Sequence, residues 1–366
     1  MVDFLGKTNY NIFETVQKHL KKDFPMKKKI TIRDVARHAG TSVGTVSNVL
    51  NGLRCSQKLR ERINKSVSEL KYTQNMYAKA VRSARTNCIG ILIDKRSETN
   101  TPWIQSLVLD IIQTLSNYKY RNMIEYWDPC SQFQPQLLSN VDGLIIIGNF
   151  NDDFFHIVEN NYSFPVITYW NDIPIKRGAG VPVNINNGIR KAVEHLLLLG
   201  HSQIAYLGAA GNSVNCDKIN AFISAMKLYG REVDENCMEY FENIPGSLSE
   251  IGYQGTLRLL KKMPDVTALL YGSDCYAMGG MGALASLRLK VPDDISVISF
   301  DNSYWAENTR PGITSIGFQI PLIPVLVELL MKMIDEPDID NVKNNIVPAE
   351  LDIFIRQSTE HAKQLT

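Results

Sequence analysis

Thr31-Ile32-Arg33-Asp34-Val35-Ala36-Arg37-His38-Ala39-Gly40-Thr41-Ser42-Val43-Gly44-Thr45-Val46-Ser47-Asn48-Val49-Leu50-Asn51-Gly52 is the stretch from which the rest of the chain can be read. Thr31 is placed to cap a first helix, with Asp34 near that helix's positive end. Ile32, Val35, Ala36 and Ala39 recur at helical spacing and form its buried stripe. Gly40 supplies a tight turn and Ser42 caps a second helix. Val46, Val49 and Leu50 face inward, whereas Val43, Gly44, Ser47 and Asn48 face outward. Asn51-Gly52 ends that helix. Ser56 opens a third helix carrying Leu59, Ile63, Val67 and Leu70. Two short helices joined by a glycine turn have the geometry that lays a second helix in a DNA major groove. Small outward residues let the backbone approach base edges. Asn48 suits adenine, and Thr45 and Ser47 suit bases or phosphates.

Charge separates this reading from that of an ordinary three-helix bundle. The 366 residues carry a net charge of only +1. Yet Met26 to Arg85 holds 14 Lys and Arg against 3 Asp and Glu, and Thr86 to the end holds 21 against 32. A basic head on an acidic body points to a polyanion partner for the head alone.

After Asn87 the texture changes. Short apolar runs are expected strands: Cys88–Ile93, Gly143–Ile147, Val166–Tyr169, Ile204–Leu207, Ala268–Tyr271 and Ser296–Phe300. Amphipathic stretches between them are expected helices: Ile104–Leu115, Gly188–Leu199, Ile219–Leu228, Tyr253–Lys262 and Ala277–Leu287. This alternation predicts an α/β body of doubly wound parallel sheets. About 280 residues is more than one such sheet needs, so the body divides into two lobes. The most apolar stretch, Ile313 to Ile334, is broken by Gln319, Pro321, Pro324 and Glu328. It reads as a buried strand and helix, not a membrane span. No apolar signal core is read near the start of the sequence, and a cytoplasmic protein is expected. The six cysteines form no C-x-x-C pair, so no metal site is expected.

The quoted segment resembles the DNA-binding headpiece of the lactose-repressor/galactose-repressor (LacI/GalR) family. The match lies at Thr31, Asp34, Val35, Ala36, Ala39, Gly40, Ser42, Thr45, Val46, Ser47, Val49, Leu50 and Asn51. It continues through Leu70-Lys71-Tyr72, Asn75 and Ala78. In the body it resumes at Asp142-Gly143, Pro165-Val166, His195-Leu196 and Gly200-His201. Further matches are Val291-Pro292, Phe300-Asp301, Thr314-Ser315-Ile316 and Arg356-Gln357-Ser358-Thr359.

The resemblance implies a helix-turn-helix headpiece on a periplasmic-binding-protein-like sensor of two lobes. The expected divisions are a poorly ordered extension at 1–26, a headpiece at 27–73, a hinge at 74–86 and a body at 87–366. Within the body, lobe 1 takes about 87–183 and 318–348, and lobe 2 about 184–317 and 349–366. The implied DNA-binding residues are Thr31, Ser42, Val43, Gly44, Thr45, Ser47, Asn48 and Asn51, with Asn75, Tyr77, Ala78, Lys79, Val81 and Arg82 in the hinge. Val81 stands where the family presents a leucine wedge to the minor groove, while Lys79, Arg82 and Arg85 suit phosphates. The implied effector residues are Trp103 after Pro102, Asn149, Lys218, Asp274 and Asp301.

The resemblance further implies a homodimer on pseudo-palindromic operator DNA, repressing carbohydrate genes under a small sugar effector. No cofactor is implied. Two departures bear on the effector. Lys218-Ile219-Asn220-Ala221-Phe222 replaces the family's Arg-x-x-Gly-Phe, and Trp170-Asn171 replaces its Asp-Arg. Lysine keeps the charge but loses the bidentate fork. Gly200-His201 reads as a helix cap and turn. A sugar-transport protein is disfavoured by the headpiece. An enzyme is disfavoured because no phosphate loop, nucleophile elbow or paired ligand motif occurs.

Overall fold

The computed structural model describes residues 30–50, 53–72, 85–95, 102–128, 135–148, 150, 152–169, 175–210, 213–241, 247–336, 340 and 346–363. The extension before residue 27, the segment 74–84, Asn51 and Asn149 lie outside them. The chain divides into two units, Met1–Arg82 and Ser83–Thr366.

In the first unit, α1 (Ile32–His38), α2 (Val43–Leu50) and α3 (Gln57–Glu69) close on one small core. That core is Val35, Ala36, Ala39, Val46, Val49 and Ile63, the stripe expected from the spacing. Asp34 accepts hydrogen bonds from the Thr31 backbone N–H and hydroxyl, at 2.9 and 2.7 Å, and fixes the start of α1. Gly40 turns the chain at φ 58°, a conformation that costs any residue with a Cβ. Ser42 Oγ accepts the Thr45 N–H at 3.1 Å and caps α2.

The second unit contains two sheets. The first is built from β1 (Cys88–Asp94), β2 (Arg121–Trp127), β3 (Gly143–Ile147), β4 (Val166–Thr168) and β5 (Gly178–Gly180). Its order is β2-β1-β3-β4-β5, all parallel. β1 and β3 are buried along their whole length, as parallel strands covered on both faces must be. The helix α4 (Pro102–Asn117) packs on one face, and α5 (Asp152–Asn161) supplies Phe154, Phe155 and Val158 to the other.

The second sheet contains β6 (Ile204–Ala209), β7 (Met238–Phe241), β8 (Ala268–Tyr271), β9 (Ser296–Phe300), β10 (Thr314–Phe318) and β11 (Leu351–Phe354). Its order is β11-β10-β9-β8-β6-β7, parallel except for β11. α6 (Ile185–Leu198) and α7 (Ser213–Leu228) cover one face. α8 (Leu248–Lys262) and α9 (Asp274–Ser286) cover the other. The short α10 (Tyr304–Asn308) follows β9.

The apolar stretch read as a strand and helix is β10 followed by α11 (Leu322–Asp335). α11 leaves the second sheet and packs beside α4 on the first. The chain therefore passes between the lobes three times, near 181–184 and 318–321 and again before β11, at 346–350. The crossings are bonded to one another. Val183 pairs with Ala349, and the Ala349 N–H donates to the Pro182 carbonyl at 2.7 Å. The Gln319 N–H donates to the Glu350 carbonyl at 3.1 Å.

Gly200 ends α6 at φ 84°. His201 behind it is buried, between the Thr267 hydroxyl at 2.9 Å and both Ser296 Oγ and the Glu360 carbonyl at 3.0 and 2.9 Å. Burial holds its imidazole below the usual range. The histidine ties the C-terminal segment to lobe 2.

Candidate nucleic-acid interface and ligand cleft

On the headpiece, Gly44 and Asn48 are exposed on α2, one turn apart. Thr45 and Ser47 are half-exposed beside them. The Thr45 hydroxyl lies 2.8 Å from Ser42 Oγ, so it helps hold the capping turn. Val43 differs from the outward expectation: it is half-buried against the core, because the tight turn swings the first residue of α2 toward α1. The exposed cations Arg33, Arg54, Lys58, Arg60 and Lys71 belong to the same unit. Arg60 also donates to the Leu53 carbonyl at 3.2 Å. A helix of small residues on a basic unit can follow a groove and neutralise phosphates.

In the body, Asp94, Asp274 and Asp301 stand at the carboxyl ends of β1, β8 and β9, where open α/β sheets bind ligands. Lys218 is 6 % exposed on α7. Its Nζ donates to the Gly272 carbonyl at 2.9 Å and sits 3.9 Å from the Phe300 ring centroid. The cation is thus held against an aromatic face at the end of β9.

Asp301 has φ 109° and Asn302 has φ 48°, two successive non-glycine residues in positive territory. Such strain persists where surrounding structure enforces it, commonly at binding sites. Gly317 lets this turn approach β10, since a Cβ there would lie 2.3 Å from that of Asn302. Burial first, and the Asp301 charge second, push up the phenols of Tyr169, at the end of β4, and Tyr206, in β6.

Asp274, expected among the effector residues, is enclosed more deeply than Lys218 or Asp301. It is 2 % exposed, and its carboxylate is enclosed by its own lobe. It accepts from the Ser299 and Ser315 hydroxyls, the latter at 2.8 Å, and from the Ser303 N–H at 2.6 Å. Burial pushes its pKa up, against those hydrogen bonds. Asp274 therefore joins α9 to β9 and β10 from within. Trp103 lies in the first turn of α4, its side chain outside the described residues. Tyr169, Tyr206 and Asp94 were not singled out from sequence; only Asp94, a charge ending an apolar run, left a local signal.

Arg85, expected at phosphate, is exposed and pairs at the surface with Asp335 at 2.8 Å; it also donates to the Ile334 carbonyl at 3.3 Å. Its partner is 250 positions away, beyond any local pattern.

Residues 31–75 match the family described as bacterial regulatory proteins, lacI family, and residues 193–359 match a periplasmic binding protein-like domain. The HTH-type transcriptional regulator DegA of Bacillus subtilis (strain 168) is 30% identical over 79% of this chain and 86% of its own length. The lac repressor dimer bound to operator and the anti-inducer ONPF superposes with a TM-score of 0.75 at 22% identity, covering 91% of this chain and all of that one. The complex of the transcriptional regulator CelR with cellobiose has a TM-score of 0.62 at 23% identity, covering 90% and 100%. Among the described residues, no cluster of three metal-ligating side chains occurs and no helix is long and apolar enough to cross a membrane.

Proposed function

We propose a function from one premise: the chain belongs to the lacI family of bacterial regulatory proteins. It is a DNA-binding transcription regulator and not an enzyme. Its specific role is that of a dimeric, cytoplasmic repressor of carbohydrate-utilisation genes. A small sugar held between the two lobes changes its affinity for a pseudo-palindromic operator. The observation that carries the reading is α2, which presents Gly44 and Asn48 to the outside on a basic headpiece.

The effector reading is supported by Lys218, held against the Phe300 ring at the end of β9, by Asp301, which follows that strand, and by Tyr169, at the end of β4. Hydroxyl-rich ligands suit a carboxylate acceptor and aromatic walls. Asn149 and Trp103 remain members of this proposed site; Asp274 supports it from behind. The CelR complex with cellobiose shows that one similar protein takes a sugar. Dimerisation is supported by β2, an edge strand that exposes Met123, Ile124 and Tyr126. Such a row invites pairing with a second copy.

The test is selection of DNA from a random-sequence pool by the full-length protein. Expected are an enriched pseudo-palindrome and binding that weakens steeply with salt. Asn48→Ala relaxes the choice at one position, costing about 1–3 kcal/mol there. Asp301→Ala leaves DNA binding intact and abolishes the thermal shift given by whichever sugar of a mono- and disaccharide panel stabilises the wild type. Recovery of no enriched sequence would overturn the reading.

A further inference from the structure

Phe300, the last residue of β9, carries Lys218 over its ring, and the chain then turns through Asp301 and Asn302 at φ 109° and 48°. Residues with a Cβ rarely hold such angles, and they persist only where neighbours enforce them. The enforcement is a series of hydrogen bonds. The Asp301 N–H donates to the Ile316 carbonyl at 2.9 Å. The Asn302 N–H donates to Ser315 Oγ at 3.0 Å, and the Ser303 N–H to the Asp274 carboxylate at 2.6 Å. Three successive amides of the turn are thus fixed, two by β10 and one by the first residue of α9.

The side chain of Asn302 is held from another element. Arg356 lies two residues beyond β11 and is half-buried. Its Nη1 donates to the Ile313 carbonyl at 2.8 Å, and its Nη2 to Asn302 Oδ1 at 2.6 Å. Its backbone N–H is itself tied to the Thr314 hydroxyl at 2.9 Å. The planar fork spans both acceptors at once, which the single ammonium of a lysine does not do. On the other flank stands Gly317 of β10. A Cβ there would overlap the Cβ of Asn302. Asn302 is therefore pinned by Arg356 and seated against a strand that has no side chain at the point of contact. The residue this frame delivers to the carboxyl edge of the sheet is Asp301.

We infer that Arg356, Asn302 and Gly317 are positioning residues for the effector site: together they aim the Asp301 carboxylate and so set which arrangement of ligand hydroxyls is accepted. The inference rests on the reading of Asp301 as an effector residue. A carboxylate on a loose loop swings to meet many hydroxyl patterns. A carboxylate on a turn fixed at three amides and one side chain meets one pattern. It rejects a sugar whose hydroxyl points elsewhere, because its acceptor is then left unpaired.

The test is calorimetric titration of the full-length protein well below its thermal transition. The probe is the member of a mono- and disaccharide panel, ribose and cellobiose included, that raises the wild-type transition most, and its epimers are titrated beside it. Gly317→Ala, Asn302→Ala and Arg356→Ala each weaken the chosen sugar at least about tenfold, the scale of one hydrogen bond to a charged group. Each also lowers the preference for that sugar over its epimers. Asn302→Asp, which keeps an acceptor oxygen for Arg356, recovers most of both. A merely structural role would lower the transition and leave affinity and preference where they were. The inference is overturned if a folded alanine variant at Asn302 or Arg356 keeps the wild-type affinity and preference, or if Asn302→Asp loses as much as Asn302→Ala. Should one of the alanine variants not fold, the others decide. A wild type stabilised by no sugar of the panel would instead sink the sugar reading. Wild-type binding by Asp301→Ala would remove Asp301 from the site. Either result takes this inference with it.

Discussion

The headpiece and lobe 2 are held together by different means. The headpiece core is six buried apolar side chains, three of them valine and two of them alanine. Its remaining order comes from caps at Thr31, Gly40 and Ser42. Lobe 2 buries two extended apolar clusters and, between them and its surface, a set of satisfied polar groups: Asp274, Ser299, Ser315, Ser358, Ser296 and His201. The Ser358 hydroxyl accepts the Thr314 N–H at 2.8 Å and donates to the Val297 carbonyl at 2.6 Å. A unit of some 40 residues has little apolar surface to spare and is only marginally stable. A polar interior adds little net energy, but it penalises every alternative arrangement. The headpiece is therefore a part whose order depends on a few contacts, and lobe 2 a part whose shape is fixed.

Three substitutions break or sharpen this contrast. The largest effect is expected for Ile63→Ala, which empties the centre of the headpiece core. Loss of a buried isoleucine side chain costs about 2–5 kcal/mol. That is enough to unfold a marginal unit, so DNA binding disappears while the thermal transition of the body stays where it was. A simultaneous drop in the body transition would show that the two units fold as one.

Asp274→Ala comes next and acts on the body alone. It removes the acceptor of two buried hydroxyls and a half-buried N–H, and leaving such groups unpaired costs about 1–3 kcal/mol. The body transition falls, and DNA binding measured well below that transition is unchanged. Asp274→Asn, which keeps an acceptor oxygen, recovers part of the loss. Were Asp274→Ala to abolish sugar binding without lowering the transition, the aspartate would be a ligand after all.

The smallest effect is expected for Ser42→Ala. Loss of a helix cap costs about 1 kcal/mol. Headpiece amides exchange faster, and DNA affinity falls several-fold without a change in the selected sequence. A changed sequence preference would move Ser42 from capping to base recognition.

The headpiece was legible because its information is local. Caps, turn and stripe all fall within one short window, and each has a residue-type signature. The buried strands β1, β3, β6, β8 and β9 were legible for the same reason, as unbroken apolar runs. β2 was not, because an edge strand reading Arg121-Asn122-Met123-Ile124-Glu125-Tyr126-Trp127 alternates too little to signal itself. β7 and β11 are likewise short edges, and the Gly178–Gly180 strand has no β-formers at all. The site was legible only as strand ends. Ser273-Asp274 after an apolar run looks the same in sequence whether the carboxylate faces a ligand or turns inward. Only Ser299 and Ser315, brought in by other strands, decide it. Arg85 shows the same limit in reverse, a cation in a basic segment whose partner was out of view.

The three crossings between the lobes have a consequence for how the protein is made. Lobe 1 is not continuous in the chain: β1 to β5 end at residue 180, but the eight buried side chains of α11 arrive only at 322–335. A ribosome adds about 5–20 residues per second. For on the order of 10 s or more, the finished strands of lobe 1 wait with one face covered by α4 alone while lobe 2 is synthesised. That face carries Ile89, Ile91, Ile145 and Ile167. Shielding it during those seconds is work for whatever meets the nascent chain at the exit tunnel, and the demand is set by the order of the elements, not by the stability of the final fold.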